Sequence, residues 1–187
     1  YNLNNIKTSI TAILFSILLT VFSLFISELY ARSELPFQNV GIILLGGAYI
    51  GVPFLVLNLI AFESGTYEYK TVLALMFFTW SNDTGAFLLG RKIGKTPLMP
   101  MISPKKTWEG ILGGLIFTLF IAFLVSKLFD NLLLIDWLIL GLIVVVFGSY
   151  GDLIESMLKR SYQMKDSSNF LPGHGGILDR FDSFMYM

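Results

Sequence analysis

The sequence predicts an all-α integral membrane protein, a polytopic helical bundle with at least five to six transmembrane helices. Three observations predict it. Apolar residues make up 55% of the 187 residues and charged residues only 14%, against roughly 25% charged in ordinary soluble domains. Mean hydropathy is +0.71, and a soluble domain of this size has no interior large enough to hide so much apolar surface. The apolar residues also fall into charge-poor runs of about 20 residues, the length of a spanning helix, without the period-2 alternation of a barrel. A soluble enzyme, a disordered chain and a small disulfide scaffold are excluded. With no cysteine, so are disulfides, iron–sulfur clusters and zinc–thiolate sites.

The spans follow in order within a single membrane domain, 1–187. The first, 8–27, carries no charge, and neither does the second, 37–62, where Pro53 predicts a kink. The third, 71–90, contains one charge, Asp83. The fourth is 110–127, and the fifth, 131–151, has only Asp136 near its start. A further span starts at 181. The chain opens at Tyr1 rather than Met, stops inside an apolar run and shows no basic leader with a cleavage site, so more residues are expected at both ends of the natural protein. No internal repeat is visible.

Charge distribution sets the expected orientation. Arg91, Lys92, Lys95, Lys105 and Lys106 share one loop, 91–109, and Lys159, Arg160, Lys165 and Arg180 share another, 152–180. Spans four and five separate these loops, so both lie on one face, and lysine and arginine in short loops mark the cytoplasmic face. The plainer reading is that these cations signal topology alone.

What accompanies them argues for chemistry. Asp152, Glu155, Ser156 and Lys159 stand at i, i+3, i+4 and i+7, one helix face. Asp179 and Asp182 repeat the i, i+3 spacing where the next span begins. Antiparallel helices would bring the two carboxylate pairs to one membrane depth. Oxygen ligands suit magnesium or a similar hard ion, and two pairs could hold two metals roughly 3.5–4 Å apart. The alternative is an interfacial ion-pair network with Lys159, Arg160 and Arg180. Between the pairs lie Pro172, Gly173, His174, Gly175 and Gly176. Glycines this dense let backbone N–H groups converge on one anion, with His174 as a phosphate or metal-shell contact; most glycine-rich turns are plain connectors. Upstream, Ser103-Pro104 reads as a helix N-cap and first helical residue. Lys105 and Lys106 would then oppose the helix dipole unless a phosphate binds there. Asp83 puts a carboxylate inside span three, at about 2.5–3.5 kcal/mol on insertion scales, so it reads as a metal ligand, relay or ion site; the alternative is a neutral interhelical hydrogen-bond anchor. Gly47-x-x-x-Gly51 and Gly110-x-x-x-Gly114 read as close helix contacts.

These residues resemble the phosphatidate cytidylyltransferases, or CDP-diacylglycerol synthases. The family signature is matched by Ser156, Lys159, Arg160, Lys165, Asp166, Leu171, Pro172, His174, Gly175, Gly176, Asp179, Arg180 and Asp182, 27 residues from first to last without a gap. Asp83-Thr84-Gly85-Ala86, Gly90-Arg91, Gly94-Lys95 and Ser103 to Gly110 match as well, so the likeness covers roughly 80–187. Ser168 stands where many members have glycine. The resemblance implies magnesium-dependent transfer of CMP from CTP to phosphatidate, giving CDP-diacylglycerol and pyrophosphate; with the charge distribution it places an integral membrane site facing the cytoplasm, in the inner membrane if the source is bacterial. The partners expected are CTP, phosphatidate and the bilayer, no nucleic acid, and a second copy in a homodimer.

The phosphatidate phosphate is already an anion, so the chemical problem is charge screening and in-line alignment. On this reading Asp152, Asp179 and Asp182 hold metal, with Glu155 and Asp83 beside them. Lys159, Lys165, Arg180 and the Gly173–Gly176 backbone hold the triphosphate. Lys105, Lys106 and Arg160, with Ser103 at the same anion site, hold the lipid head group or the departing pyrophosphate. A CTP-dependent lipid alcohol kinase is the nearest rival. A secondary transporter explains Asp83 and Pro53 but not acids and glycines gathered at one face, and a structural scaffold has no use for them.

Overall fold

A computed structural model of the chain describes residues 3–63, 65–161 and 163. The expected all-α membrane fold is there: five helices are long and apolar enough to cross a bilayer. They are α1 (Leu3–Ala31), α2 (Pro36–Ala61), α3 (Tyr69–Ile93), α4 (Trp108–Leu128) and α5 (Leu134–Ser161). Two short strands, β1 (Pro97–Met99) and β2 (Ser103–Thr107), form a hairpin between α3 and α4. The further span expected from 181 lies outside the described residues.

The chain divides at Pro53, inside α2, into two compact units, Tyr1–Val52 and Pro53–Met187. In the first, α1 stops where Arg32 takes a left-handed φ of 50° and its N–H donates to the Glu28 carbonyl at 3.1 Å, the usual way a helix ends. The Glu28 carboxylate accepts from the Ser33 hydroxyl and from the Asn39 amide. Pro36 opens α2 at a first-turn position, where its missing N–H costs nothing. A Cβ on Gly47 or Gly51 would meet nothing within 4 Å. The close contact expected of that glycine pair is therefore not made among the described residues; spacing alone specifies a small surface, not its partner.

The second unit holds the functional geometry. Its core is Ala74, Leu75 and Phe78 of α3, Ala122 and Val125 of α4, and Trp137 and Val144 of α5. Phe78 meets Trp137 edge-on, with centroids 6.1 Å apart at 87°. Thr118 and Ser81 bring hydroxyls to within 3.4 Å of each other beside the Phe78 carbonyl, a polar link between α3 and α4 of the kind that joins helices in lipid.

Helix ends carry the charges their dipoles favour: Glu109 and Asp136 in first turns, Arg91, Lys92, Lys127, Lys159 and Arg160 in last turns. Asp136 accepts from the Leu133 N–H at 3.1 Å and so caps α5. At the same end of the bundle Lys70 pairs with Asp130 at 2.8 Å and Asn131 donates to Thr71 at 3.0 Å. The Lys70 ammonium holds the Asp130 carboxyl below the usual carboxylate range. The hairpin and the two helix ends that flank it occupy the opposite end.

Candidate active site

The site is built on how tightly α3 and α4 approach. A Cβ on Gly85 would lie 2.5 Å from the Gly113 carbonyl oxygen, and one on Gly113 would lie 2.5 Å from that of Gly85. Gly114 leaves room for the Asn82 side chain. The contact expected from Gly110-x-x-x-Gly114 is thus made, with Gly85 and Gly113 at its tightest point. This close packing brings the C-terminal end of α3 beside the N-terminal end of α4.

A correction concerns that N-terminal end. Ser103 and Pro104 do not cap α4; they lie on β2, and the helix begins at Trp108. Thr107 is the cap: its hydroxyl accepts from the Gly110 N–H at 3.1 Å. The physical reason is the dipole. Capping at Thr107 puts Glu109 in the first turn and keeps Lys105 and Lys106 on extended chain before the helix. Space decides it too. The Thr107 hydroxyl would lie 3.4, 2.7 and 3.2 Å from a Cβ on Gly90, Gly94 and Gly110 respectively, so three glycines make the pocket that receives the cap.

The hairpin is stitched to α4 through Thr96. Its N–H donates to both Glu109 carboxylate oxygens at 3.2 Å, and its carbonyl accepts from the Trp108 N–H at 3.1 Å. Glu109 therefore anchors the start of the hairpin at Thr96, just before β1, and the paired strand β2 carries both lysines. Removing it with Glu109→Ala is expected to raise the KM for the anionic substrate about tenfold, the scale of one hydrogen bond to a charged group. Amide exchange at Thr96 should accelerate in parallel. Unchanged exchange would show that the clamp does not hold the hairpin.

Between α3, the hairpin, α4 and α5 lies a cavity of about 550 Å³. From α3 it receives Asn82, Asp83, Ala86, Phe87, Gly90 and Arg91, one helical face. The hairpin adds Leu98, Lys105, Lys106 and Thr107; α4 adds Gly110 and Ile111; α5 adds Gly148, Ser149 and Asp152. Lys106 forms an ion pair with Asp152, tying β2 to α5, with both side chains about a quarter to a third exposed. The cavity thus holds three cations and two carboxylates together with Phe87, Leu98 and Ile111, and the Arg91 guanidinium lies over the Phe87 ring at 6.0 Å from its centroid. Such a lining can take an anionic, partly apolar ligand.

Of the residues expected at the site, Asp83, Asp152, Lys105 and Lys106 come together. Ser103, Glu155, Lys159 and Arg160 do not line this cavity. Glu155 is fully buried and is paired with Lys159 one turn on, at 2.6 Å, as a buried carboxylate requires. Lys165, Gly173, His174, Gly175, Gly176, Asp179, Arg180 and Asp182 lie outside the described residues. Sequence reasoning gave no site role to Asn82, Arg91, Thr107 or Ser149, although Arg91 and Thr107 fall in segments that match the family signature. Arg91 was findable, since it lies within the stripe that i, i+3, i+4, i+7 and i+8 define from Asp83.

Among the described residues no three acids or histidines cluster closely enough to hold a metal by themselves. The donors that do meet, Asp83 and Asp152, are oxygen only, and Asp152 already stands beside a cation at this place. That chemistry fits a hard divalent ion.

Comparison with known proteins agrees in kind. Relatives include the phosphatidate cytidylyltransferases of Staphylococcus saprophyticus, 41% identical over 159 residues, and of Staphylococcus epidermidis and Staphylococcus aureus, each 40% identical over 159 residues. Each match covers 84% of this chain and 59% of the relative, so the chain spans about three fifths of their length. Residues 2–187, nearly the whole chain, match the cytidylyltransferase family, and the chain belongs to that family.

Proposed function

We propose that this chain carries the active site of a phosphatidate cytidylyltransferase, which transfers CMP from CTP to phosphatidate. One observation carries the reading. Two carboxylates and three cations from three separate elements, α3, β2 and α5, converge on one cavity at the end of a membrane bundle, in a chain of the cytidylyltransferase family. In the reaction a phosphatidate oxygen forms a bond to the α-phosphorus of CTP, the bond from that phosphorus to the bridging oxygen breaks, and pyrophosphate leaves. No general base is needed, because the nucleophile is already ionised.

The chain's own residues then have two tasks. Lys105, Lys106 and Arg91 lower the repulsion between two anionic substrates and orient the lipid head group beside Phe87, Leu98 and Ile111, while Arg160 and Ser103, outside the cavity lining, act from beyond it. Asp83 and Asp152, with Asp179 and Asp182, would hold magnesium at two sites, and Glu155, buried against Lys159 one turn beyond Asp152, would act from outside the ligand set. The metal supplies charge neutralisation and alignment of phosphate oxygens. Lys159, Lys165, Arg180, His174 and the glycines Gly173, Gly175 and Gly176 serve the triphosphate. The site faces the cytoplasm, in the inner membrane where the source is bacterial, and the enzyme works as a homodimer.

The test uses full-length enzyme in mixed micelles with CTP labelled at the α-phosphate. Label is expected in a chloroform-extractable CDP-lipid, with pyrophosphate in the aqueous phase. Label recovered as free CDP, with a phosphorylated lipid alcohol, would instead identify a lipid kinase. Transport of solute without lipid labelling would overturn the enzyme reading.

A further inference from the structure

The β1–β2 hairpin has an unusual tip. Pro97, Leu98, Met99, Pro100, Met101 and Ile102 run without one polar side chain, although turns use glycine, asparagine, aspartate and serine as well as proline. The turn is closed by the Ile102 N–H donating to the Met99 carbonyl at 3.1 Å, with Pro100 where a turn favours proline. Met101 is 96% exposed and Met99 44% exposed. On either side of this tip the chain carries only cations: Arg91, Lys92 and Lys95 before it, Lys105 and Lys106 after it.

Connectivity fixes where the tip can be. Three residues, 94–96, separate the end of α3 from β1, and β2 runs directly into α4 at Thr107. Both helices are long and apolar enough to span, so the hairpin lies at a membrane boundary. The flanking helix ends present Ile93 and Trp108, each about half exposed; tryptophan favours that boundary, where its ring meets both hydrocarbon and head groups. Burying a methionine side chain is favourable, and so is each cation brought near an anionic leaflet. An apolar tip framed by cations therefore has complementary partners in the acyl chains and the anionic head groups of one leaflet.

We infer that the β1–β2 hairpin is an interfacial wedge: Met99, Pro100 and Met101 dip into the anionic leaflet that holds the bundle, and Lys92 and Lys95 bind its head groups. Leu98 lines the cavity from the same strand, so the wedge joins the cavity wall to the lipid surface. This goes beyond the proposed reaction and is tested without it. Met101→Cys in full-length enzyme with no other cysteine, labelled with an environment-sensitive dye, is reconstituted into vesicles of neutral lipid or of neutral lipid with anionic phosphatidylglycerol. Because the side chain packs on nothing, the substitution leaves the fold intact. Expected are a blue-shifted emission, quenching by spin labels near the head of the acyl chain, and shielding from aqueous iodide. Quenching should be at least twofold stronger with anionic lipid, and Lys92→Gln with Lys95→Gln should bring that ratio close to one. A dye open to iodide and untouched by lipid-borne quenchers in both vesicles would overturn the wedge and leave the tip for a partner in water. Equal quenching in neutral and anionic vesicles would overturn the role given to the lysines.

Discussion

Replacing Asp152 by Asn is expected to lower cytidylyl transfer by about 100-fold or more, the scale seen when a preorganised electrostatic group is removed. The amide keeps the shape of the side chain and discards its charge. Asp152 is half-buried near the end of α5, on the cavity wall and paired with Lys106. Its charge does two things at once on the proposed reading. It holds Lys106 in place, and it offers oxygen to a hard cation beside Asp83. These roles separate experimentally. If Asp152 only neutralised Lys106, magnesium-dependent thermal stabilisation would be the same in Asp152→Asn as in the parent, and that outcome would overturn the metal role. If the carboxylate binds metal, that stabilisation shrinks in Asp152→Asn while Lys106→Met keeps it. Asp179→Asn is expected to behave like Asp152→Asn.

The spanning helices were legible because lipid imposes a simple rule: about 20 residues without charge. The structure extends each helix at one or both ends, since polar residues such as Glu155 and Lys159 continue α5 by pairing with each other. The hairpin was not legible. Its tip carries prolines but no glycine, asparagine, aspartate or serine, and its second strand begins with Ser-Pro, a pattern that equally announces a helix. Thr107 lost that comparison in the sequence because what selects it, a nest among Gly90, Gly94 and Gly110, comes from residues up to 17 positions away. The glycine pairs teach the same lesson from two sides. Gly110-x-x-x-Gly114 and Gly47-x-x-x-Gly51 have identical spacing, yet only the first meets a helix among the described residues. Asp83 was legible as a candidate because a charge within a span needs a reason, and it lines the cavity. Asn82 and Ser149 were not, since small polar residues in a helix carry no such signal until three elements converge on them.

The tightest of those contacts gives the second large effect expected. Gly113→Val is expected to disrupt the α3–α4 contact and with it the cavity. A Cβ on Gly113 would sit 2.5 Å from the Gly85 carbonyl oxygen and 2.6 Å from the Leu89 Cβ. Neither neighbour can swing aside, because one is backbone and the other is the first atom of a side chain. The helices must move apart, and overpacking of this kind costs about 1–3 kcal/mol, occasionally more. The strain falls where it matters. One turn before Gly113, Gly110 packs against α3 and receives the Thr107 cap, which positions Lys105 and Lys106. Gly113→Val should therefore lower both the thermal midpoint in detergent and the transfer rate, the latter at least about tenfold, equivalent to 1.4 kcal/mol of lost transition-state stabilisation. Gly141→Ala is the matched control. Its Cβ would find Thr118, Ala122 and Leu119 atoms at 3.4, 3.5 and 3.9 Å, ordinary packing distances, and both readouts should stay near those of the parent enzyme. If Gly113→Val instead left midpoint and rate unchanged, α3 and α4 could not be packed in this register, and the cavity built on that contact would have to be redrawn.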